Sequence, residues 1–219
     1  VEGAGVVDRL AGSVHNAESH VHGSGVLLTH DRCEGLVQLL NGTLVEPSLC
    51  NKLYRRSLFD HFFAQNRMDL SIKQTEDLLM NFLLFDCADR SVFQDVCKYR
   101  YTVRAGSATR TALNDSIVYD PLRVRKLILE NASEDIRRVA QATYIDLVLN
   151  SYNMLAISQD TRYRHILPHL RQEILTHWDW ISMLGKKRRI LALLLKISPF
   201  LHKAVYRTYV KHFQENAYE

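Results

Sequence analysis

The sequence EDLLMNFLLF at residues 76–85 predicts a helix, and YRYTVRAGS at residues 99–107 predicts a strand that ends in a turn. In the first stretch, two acidic residues precede apolar residues at helical spacing, and Thr75 stands in the N-cap position. In the second, tyrosines alternate with basic residues at the period of two that strands show, starting from Val96. Gly106 then permits the positive φ of a tight turn. These stretches place an acidic helix start beside a strand rich in tyrosine and arginine.

The charged residues of these stretches have two interpretations each. Glu76 and Asp77 fall in the first turn of the predicted helix, where each contributes under about 1 kcal/mol by complementing the helix dipole. The same carboxylates can instead take part in a reaction as acids or bases. Arg104 and Ser107 can hold an anion at the turn, or can simply belong to a tight turn. From these residues alone, the alternatives stay open.

A basic segment, NKLYRR at residues 51–56, lies upstream of the predicted helix. Pro47 separates it from the preceding chain, and SLFDHFF at residues 57–63 predicts a short helix after it. Lys52, Arg55 and Arg56 can form a patch that binds a diphosphate. The alternative is an ordinary helix face whose charges are solvated.

These motifs occur in an order that resembles the second half of bacterial family 2 glycosyltransferases, which have the GT-A fold. The resemblance covers residues 45–110 and rests on NKLYRR, Glu76-Asp77, Tyr99-Arg100-Tyr101 and Arg104-x-Gly106-Ser107. It implies an inverting transfer of a sugar from a nucleotide-sugar donor to a polysaccharide or lipid-linked acceptor. Such reactions serve the biosynthesis of bacterial cell-surface polysaccharides.

The resemblance also implies roles for individual residues. An inverting transfer needs a base that removes the proton of the acceptor hydroxyl, and Asp77 matches the base of the family. Glu76 would orient the acceptor. The residues that match contacts to the donor phosphates are Lys52, Arg55, Arg104 and Ser107.

The donor half of such an enzyme is not recognisable in this sequence. Family members hold the donor diphosphate through a divalent metal, Mn or Mg, on an Asp-x-Asp motif, and none of the fourteen aspartates here forms such a pair. We therefore expect the chain to be part of a longer protein and to begin after the metal motif. The metal belongs to the intact parent, and the fragment by itself is expected to hold no metal and to be inactive.

Beyond about residue 119 the pattern becomes helical. Pro121 is expected to open the first helix, and Ser133, followed by two acids, is expected to start the next. A further helix is predicted over residues 162–184, ended by Gly185.

Together these patterns predict an α+β, helix-rich fold in two parts. Residues 1–119 are expected to be the acceptor-side remainder of a GT-A domain. Residues 120–219 are expected to form a C-terminal helical bundle with a basic amphipathic tail. A chain of 219 residues is long enough to bury a sizeable core in one large domain or two small ones.

The tail carries the positive charge of the molecule. The net charge is +4, and residues 186–219 contain eight lysine or arginine residues against two acidic ones. Isoleucine and leucine recur at helical spacing from Ile190, and Pro199 predicts a second helix start. Such a segment can lie on an anionic membrane surface through residues 186–213, or pack on the protein with its lysines in water. Nucleic acid is not an expected partner, because no recognised motif or aromatic stacking platform accompanies the charge.

The cysteines are too irregularly spaced to indicate a disulfide framework or a zinc site, whereas four histidines cluster near the start of the chain. The four cysteines are expected to be reduced and mostly buried thiols: Cys33, Cys50, Cys87 and Cys97. Four histidines near the start of the chain are interpreted as polar surface residues: His15, His20, His22 and His30. The alternative is a metal site that uses Glu18 or Asp31 as a further ligand.

The hydrophobic fraction of 47% is ordinary for a soluble protein, and no apolar run approaches the roughly 20 residues needed to span a membrane. The expected location is cytoplasmic, with a peripheral position on the inner face of the membrane as a further option.

The main alternative function is a non-catalytic helical interaction module that docks to a protein or to an anionic membrane. In that case, the acids at residues 76 and 77 only stabilise a helix start.

Overall fold

The computed structural model describes residues 24–42, 44–96 and 113–213. This part of the chain is helix-rich and contains one two-stranded sheet, which confirms the prediction of a helix-rich α+β fold. The chain divides into two compact units, Val1–Asp120 and Pro121–Glu219. The assignment of these parts to a GT-A remainder and a helical bundle stays a prediction.

In its described part, the first unit contains a small antiparallel sheet and three helices. Its elements are β1 (Leu27–Asp31), α1 (Arg32–Asn41), α2 (Arg56–Gln65), α3 (Glu76–Asp86) and β2 (Arg90–Gln94). In the sheet, Leu28 lies opposite Phe93 and His30 opposite Ser91. Helix α1 packs against both strands and against α3.

Helix α1 is well defined at both ends because its sequence supplies the caps. The Asp31 carboxylate accepts the Glu34 amide at 2.8 Å, and the Glu34 carboxylate accepts the Asp31 amide, which completes a capping box. Gly42 ends the helix with a φ of 63°, a conformation that favours glycine. The most deeply buried core residues of the unit include six leucines and one phenylalanine from α1 and α3: Leu36, Leu39, Leu40, Leu79, Phe82, Leu83 and Leu84.

The predicted helix at residues 76–85 is confirmed, but the predicted role of Thr75 is wrong. Thr75 has a φ of 61°, and its hydroxyl donates to the Gln74 carbonyl instead of capping the helix. The first turn is preceded instead by a bend that Asp120 holds, since its carboxylate accepts the amides of Lys73 and Gln74 at 2.8 and 3.1 Å.

The predicted strand and turn lie almost entirely outside the described residues. This applies to the tyrosines of residues 99–101 and to Arg104, Gly106 and Ser107. The described strand nearest to this stretch is β2, which ends at Gln94, before Val96, and was not predicted. Its sequence, RSVFQ, has too few apolar residues to stand out as a strand.

The second unit is helical throughout its described part. Its elements are α4 (Asp115–Asn131), within which the unit begins, α5 (Glu134–Ile157), a 3₁₀ turn (Arg164–Ile166), α6 (Leu167–Thr176), a 3₁₀ helix (Trp178–Met183), α7 (Lys186–Ile197) and α8 (Pro199–Phe213). Helix α5 packs against α6, α7, α8 and the 3₁₀ helix. Its buried side chains include Ile136, Ala140, Ile145, Val148, Leu149 and Leu155.

Two predicted helix boundaries in this region are wrong. Helix α4 begins at Asp115, where the Asn114 side chain accepts the Ile117 amide at 3.1 Å, so Pro121 lies inside the helix and not at its start. The segment 162–184 is not one helix, because it breaks at His177 between α6 and the 3₁₀ helix. His177 stacks on Trp180 with ring centroids 3.9 Å apart, and this contact accompanies the break.

Other predicted boundaries are confirmed. Ser133 occupies the N-cap position of α5, and α8 starts at Pro199 directly after Ser198. Gly185, which was expected to end a helix, precedes the first turn of α7 and has an extended backbone.

No helix within the described ranges is both long enough and apolar enough to cross a bilayer.

Contrary to the prediction, the described cysteines are not mostly buried. Cys50 is exposed, and Cys33 and Cys87 are half-buried; Cys97 lies outside the described residues. Of the four N-terminal histidines, only His30 is described, and it is buried at the sheet, contrary to its interpretation as a surface residue. The described residues contain no group of three or more histidine, cysteine or acidic side chains that could hold a metal ion.

Candidate functional site

The segment of residues 46–52 is bound to the first turns of α3. The Asp77 carboxylate accepts the Leu49 amide through Oδ2 at 3.3 Å. The Asn81 side-chain amide donates to the Pro47 carbonyl at 2.6 Å and to the Asp77 carbonyl at 2.9 Å. The acidic start of α3 and the segment before NKLYRR therefore form one hydrogen-bonded unit.

Asn81 is the buried centre of this unit. Its exposed fraction is 0%, and it stands in the middle of the apolar part of α3, residues 78–85. Its side-chain oxygen accepts a hydrogen bond from the Tyr54 hydroxyl. Burial, together with the nearby Asp77 charge, raises the pKa of Tyr54, so this hydroxyl stays protonated and remains a donor at neutral pH. Both ends of the Asn81 amide are thus satisfied without water.

Lys52 closes the segment by binding three of its oxygens. Its ammonium donates to the Glu46 carbonyl, to the Ser48 carbonyl at 2.6 Å and to the Asn51 side-chain oxygen at 2.8 Å. Burial lowers the pKa of Lys52 to about 8, against the opposing influence of nearby Glu46, Cys50 and Asp77. Lys52 is therefore a cation that titrates close to physiological pH.

The two acids at the helix start differ in what they contact. Asp77 is half-buried, and the Leu49 amide occupies its Oδ2, whereas Oδ1 receives no hydrogen bond from the described residues. Glu76 is half-buried as well, and within the described ranges its carboxylate makes no hydrogen bond. Asp77 is thus held in one orientation and keeps an oxygen available to a further partner.

The structure brings together three of the six predicted site residues. Asp77 and Glu76 are neighbours at the start of α3, and the Lys52 ammonium is near enough to Asp77 for the carboxylate to raise its pKa. Arg55 is exposed at the N-cap position of α2, and it joins no hydrogen bond of this network among the described residues. Arg104 and Ser107 lie outside the described residues.

Sequence reasoning missed Asn81 and gave no role to Tyr54. A signal for Asn81 was present, because one amide in an apolar run such as DLLMNFLLF is expected to have a buried partner. No comparable signal marks the partners of Asn81 and Asp77. They are a backbone carbonyl at Pro47 and a backbone amide at Leu49, and every residue type except proline offers both groups.

This arrangement is suited to accepting a proton. A carboxylate that is fixed by a backbone amide and open on its other oxygen can act as a general base, provided that a hydroxyl reaches hydrogen-bond distance. The nearby lysine adds positive charge beside the carboxylate.

The chain matches no protein-family model, no curated protein and no solved structure at a significant level.

Proposed function

We propose that this chain is the acceptor-side and C-terminal part of an inverting glycosyltransferase that resembles bacterial family 2. The parent enzyme would move a sugar from a nucleotide-sugar donor to a polysaccharide or lipid-linked acceptor. The observation that carries the proposal is the fixed orientation of Asp77, with one oxygen on the Leu49 amide and the other open. Its place at the start of α3 is the place that the motif order assigns to the base.

In this proposal Asp77 takes the proton of the acceptor hydroxyl as that oxygen attacks the anomeric carbon of the donor. The bond between the sugar and the nucleotide diphosphate breaks, and the diphosphate leaves with the bonding electrons. Glu76, the adjacent acid, orients the acceptor by accepting a hydrogen bond from it. Hydrogen bonding by Asn81 and Leu49 keeps segment 46–52 and the base in a constant relation to each other.

The donor-phosphate roles rest on fewer observations. Arg55 is exposed and therefore accessible to a phosphate. The Lys52 ammonium already binds three oxygens of its own segment, so a phosphate would have to replace one of them. The roles of Arg104 and Ser107 stay predictions. Among the described residues, no group of three or more histidine, cysteine or acidic side chains could hold a metal ion. The isolated chain is proposed to be inactive because its sequence has no Asp-x-Asp motif.

The test is the substitution Asp77→Asn in the longer protein that contains this chain. Asparagine keeps the size of the side chain and an oxygen that can accept the Leu49 amide, but it is not a base. We expect the rate of sugar transfer to fall about 10²–10⁴-fold, with thermal unfolding unchanged. The matched control is Asp60→Asn, an exposed acid on α2, which should leave the rate unchanged.

A rate for Asp77→Asn within about threefold of the wild type would refute the role of Asp77 as base, since general-base catalysis contributes more than that. The acids at residues 76 and 77 would then be helix-start residues. The alternative of a non-catalytic interaction module would become the better interpretation.

A further inference from the structure

The segment that forms α7 and α8 has an unusual charge composition. Residues 186–213 contain eight lysine or arginine residues and no aspartate or glutamate. The charged partner of Arg188 comes from α5, where Asp146 lies 2.9 Å from its guanidinium. Lys186, Lys187 and Arg189 are exposed. The outer surface of this helical pair is therefore strongly basic.

Helix α7 has apolar residues on two different faces. Ala192 and Leu195 are fully buried and pack the helix onto the second unit. Ile190, Leu193 and Ile197 follow one another at helical spacings of three and four residues on another face, and 48–67% of each is exposed. An amphipathic helix that only packed on its own protein would not need this second apolar stripe.

The basic residues flank the exposed stripe. In helical projection, Lys186 extends the stripe by one turn toward the N-terminus, while Arg189 and Lys196 lie along one side and Lys187 along the other. All four side chains are exposed. Their long aliphatic stems allow the charged ends to extend away from an apolar layer.

The stripe continues into the turn between α7 and α8. Phe200 is 83% exposed, and Leu201 and Pro199 are exposed beside it. With Ile197, the residues Phe200 and Leu201 form what we call the apolar tip. Three large apolar side chains in water at one turn are costly unless another surface covers them.

We propose that the stripe and the apolar tip dock the protein on an anionic phospholipid surface. The apolar side chains enter the boundary between headgroups and acyl chains, and Lys186, Lys187 and Arg189 bind the headgroup phosphates. Lys196 is occupied elsewhere, because its ammonium lies over the Trp178 ring, 4.1 Å from the ring centroid. A helix with an apolar face, a basic rim and no acids fits this kind of surface. The proposal is independent of the transferase activity.

Two other occupants fit the surface less well. A second copy of the chain would bring basic rims face to face, and like charges across an interface oppose association. A nucleic acid would neutralise the lysines but would leave Ile197 and Phe200 in water, because its backbone offers no apolar layer. An anionic bilayer satisfies both the charge and the apolar surface.

The test is flotation of the 219-residue chain with vesicles, in the absence of any nucleotide sugar. One set of vesicles contains phosphatidylcholine alone, and the other contains equal parts of phosphatidylcholine and phosphatidylglycerol. We expect binding to the mixed vesicles and little to the neutral ones. Binding should weaken as salt rises, because the Debye length falls from about 10 Å at 0.1 M to about 3 Å at 1 M.

Two pairs of substitutions separate the apolar and the charged contributions. Ile197→Ser with Phe200→Ser should weaken binding at least about tenfold, because two inserted side chains are lost. Lys187→Gln with Arg189→Gln should weaken it about 25-fold, or about fivefold for each charge.

The matched controls come from exposed residues elsewhere. Leu53→Ser with Leu70→Ser removes two apolar side chains that are at least 90% exposed in the first unit. Lys126→Gln with Arg138→Gln removes two exposed charges from α4 and α5. Neither pair should change binding. All variants change exposed side chains, and thermal unfolding checks that they are folded.

Three results would overturn the proposal. The first is an absence of binding to the mixed vesicles at low salt. The second is unchanged binding after the two serine substitutions at the tip, which would indicate a purely electrostatic surface of the kind that also binds nucleic acid. The third is equal binding to neutral vesicles, which would remove the role of the basic rim. None of these results bears on whether Asp77 is a catalytic base.

Discussion

At the scale of single residues, Asn81 and His202 are the buried polar side chains with the clearest consequences. Asn81 is fully buried and hydrogen-bonded at both ends of its amide. His202 is also fully buried, but neither ring nitrogen has a hydrogen-bond partner among the described residues. The first residue therefore stabilises the fold, while the second weakens it under conditions that favour its charged form.

Replacing Asn81 with alanine should destabilise the first unit by about 3 kcal/mol, because the Pro47 carbonyl and the Tyr54 hydroxyl would lose a buried partner. The measurement is the urea midpoint of that unit. Tyr54→Phe serves as a milder comparison, because it removes only the hydrogen bond from the Tyr54 hydroxyl to Asn81. It should lower the free energy of unfolding by about 1 kcal/mol. An Asn81→Ala variant within about 0.5 kcal/mol of the wild type would contradict the central role of the amide.

His202 should make the second unit sensitive to acid. Burial lowers its pKa from 6.5 to about 4 in the folded state, so the unfolded chain takes up a proton first as the pH falls. Stability is unaffected by this group above about pH 6.5. It is lost progressively as the pH falls toward 4, by up to about 3 kcal/mol.

The substitution His202→Phe tests this expectation, because phenylalanine keeps an aromatic ring beside Tyr152 and Tyr206 but cannot be protonated. The variant should be at least as stable as the wild type at neutral pH, and its advantage should grow toward acid pH. His169→Gln, a change at an exposed histidine of α6, serves as control. Parallel stability profiles for His202→Phe and the wild type between pH 7 and about 4.5 would show that His202 is not responsible.

At the scale of elements, an ion pair links α5 to α7. Asp146 lies 2.9 Å from Arg188, whose guanidinium also donates to the Asn150 side chain. Arg125 of α4 is near enough for Asp146 to raise its pKa, although burial lowers that pKa to about 10 overall. Burial also raises the pKa of Asp146, against the influence of the two arginines. One carboxylate therefore compensates two guanidinium groups.

Asp146→Ala should destabilise the second unit by about 2 kcal/mol. This is less than the 3–5 kcal/mol typical of a fully buried pair, because both partners are partly exposed. Glu134→Ala is the matched control, since its ion pair with Arg137 is on the surface and should contribute under about 1 kcal/mol. Equal effects of the two substitutions on the unfolding free energy would show that the α5–α7 pair is no stronger than a surface ion pair.

At the scale of the whole molecule, the two proposals belong to different units. The candidate transferase site is in the first unit, and the proposed membrane surface is in the second. Each unit has its own buried core, built from α1 and α3 in one and around α5 in the other. Loss of activity and loss of membrane binding can therefore be measured and interpreted separately.

Much of the element order could be predicted, and the errors have local explanations. The helices that begin at Glu76, Glu134 and Pro199 were predicted because their starts carry recognisable residues within three or four positions. The Pro121 prediction failed because proline is common in the first turn of a helix, whereas here Asn114 accepts the Ile117 amide at a helix start seven residues upstream, and Pro121 lies inside the helix. The helix break at His177 has no comparable local sequence signal. It accompanies the stacking of the His177 ring on Trp180, which is seen only in the folded structure.

The sequence by itself determined the helix-rich character of the chain, several helix starts and the basic charge of its tail, because periodicity, caps and charge act within a few residues. Only the tertiary structure decided which side chains meet. In the folded chain, Arg188 contacts Asp146, whereas Lys186, Lys187 and Arg189 are exposed. The Lys52 ammonium donates to a carbonyl of its own segment, and Asp77 accepts the amide of Leu49, which lies 28 residues earlier in the sequence. Such pairs depend on how elements pack, and packing follows from shape and burial over the whole unit, which no short stretch of sequence contains.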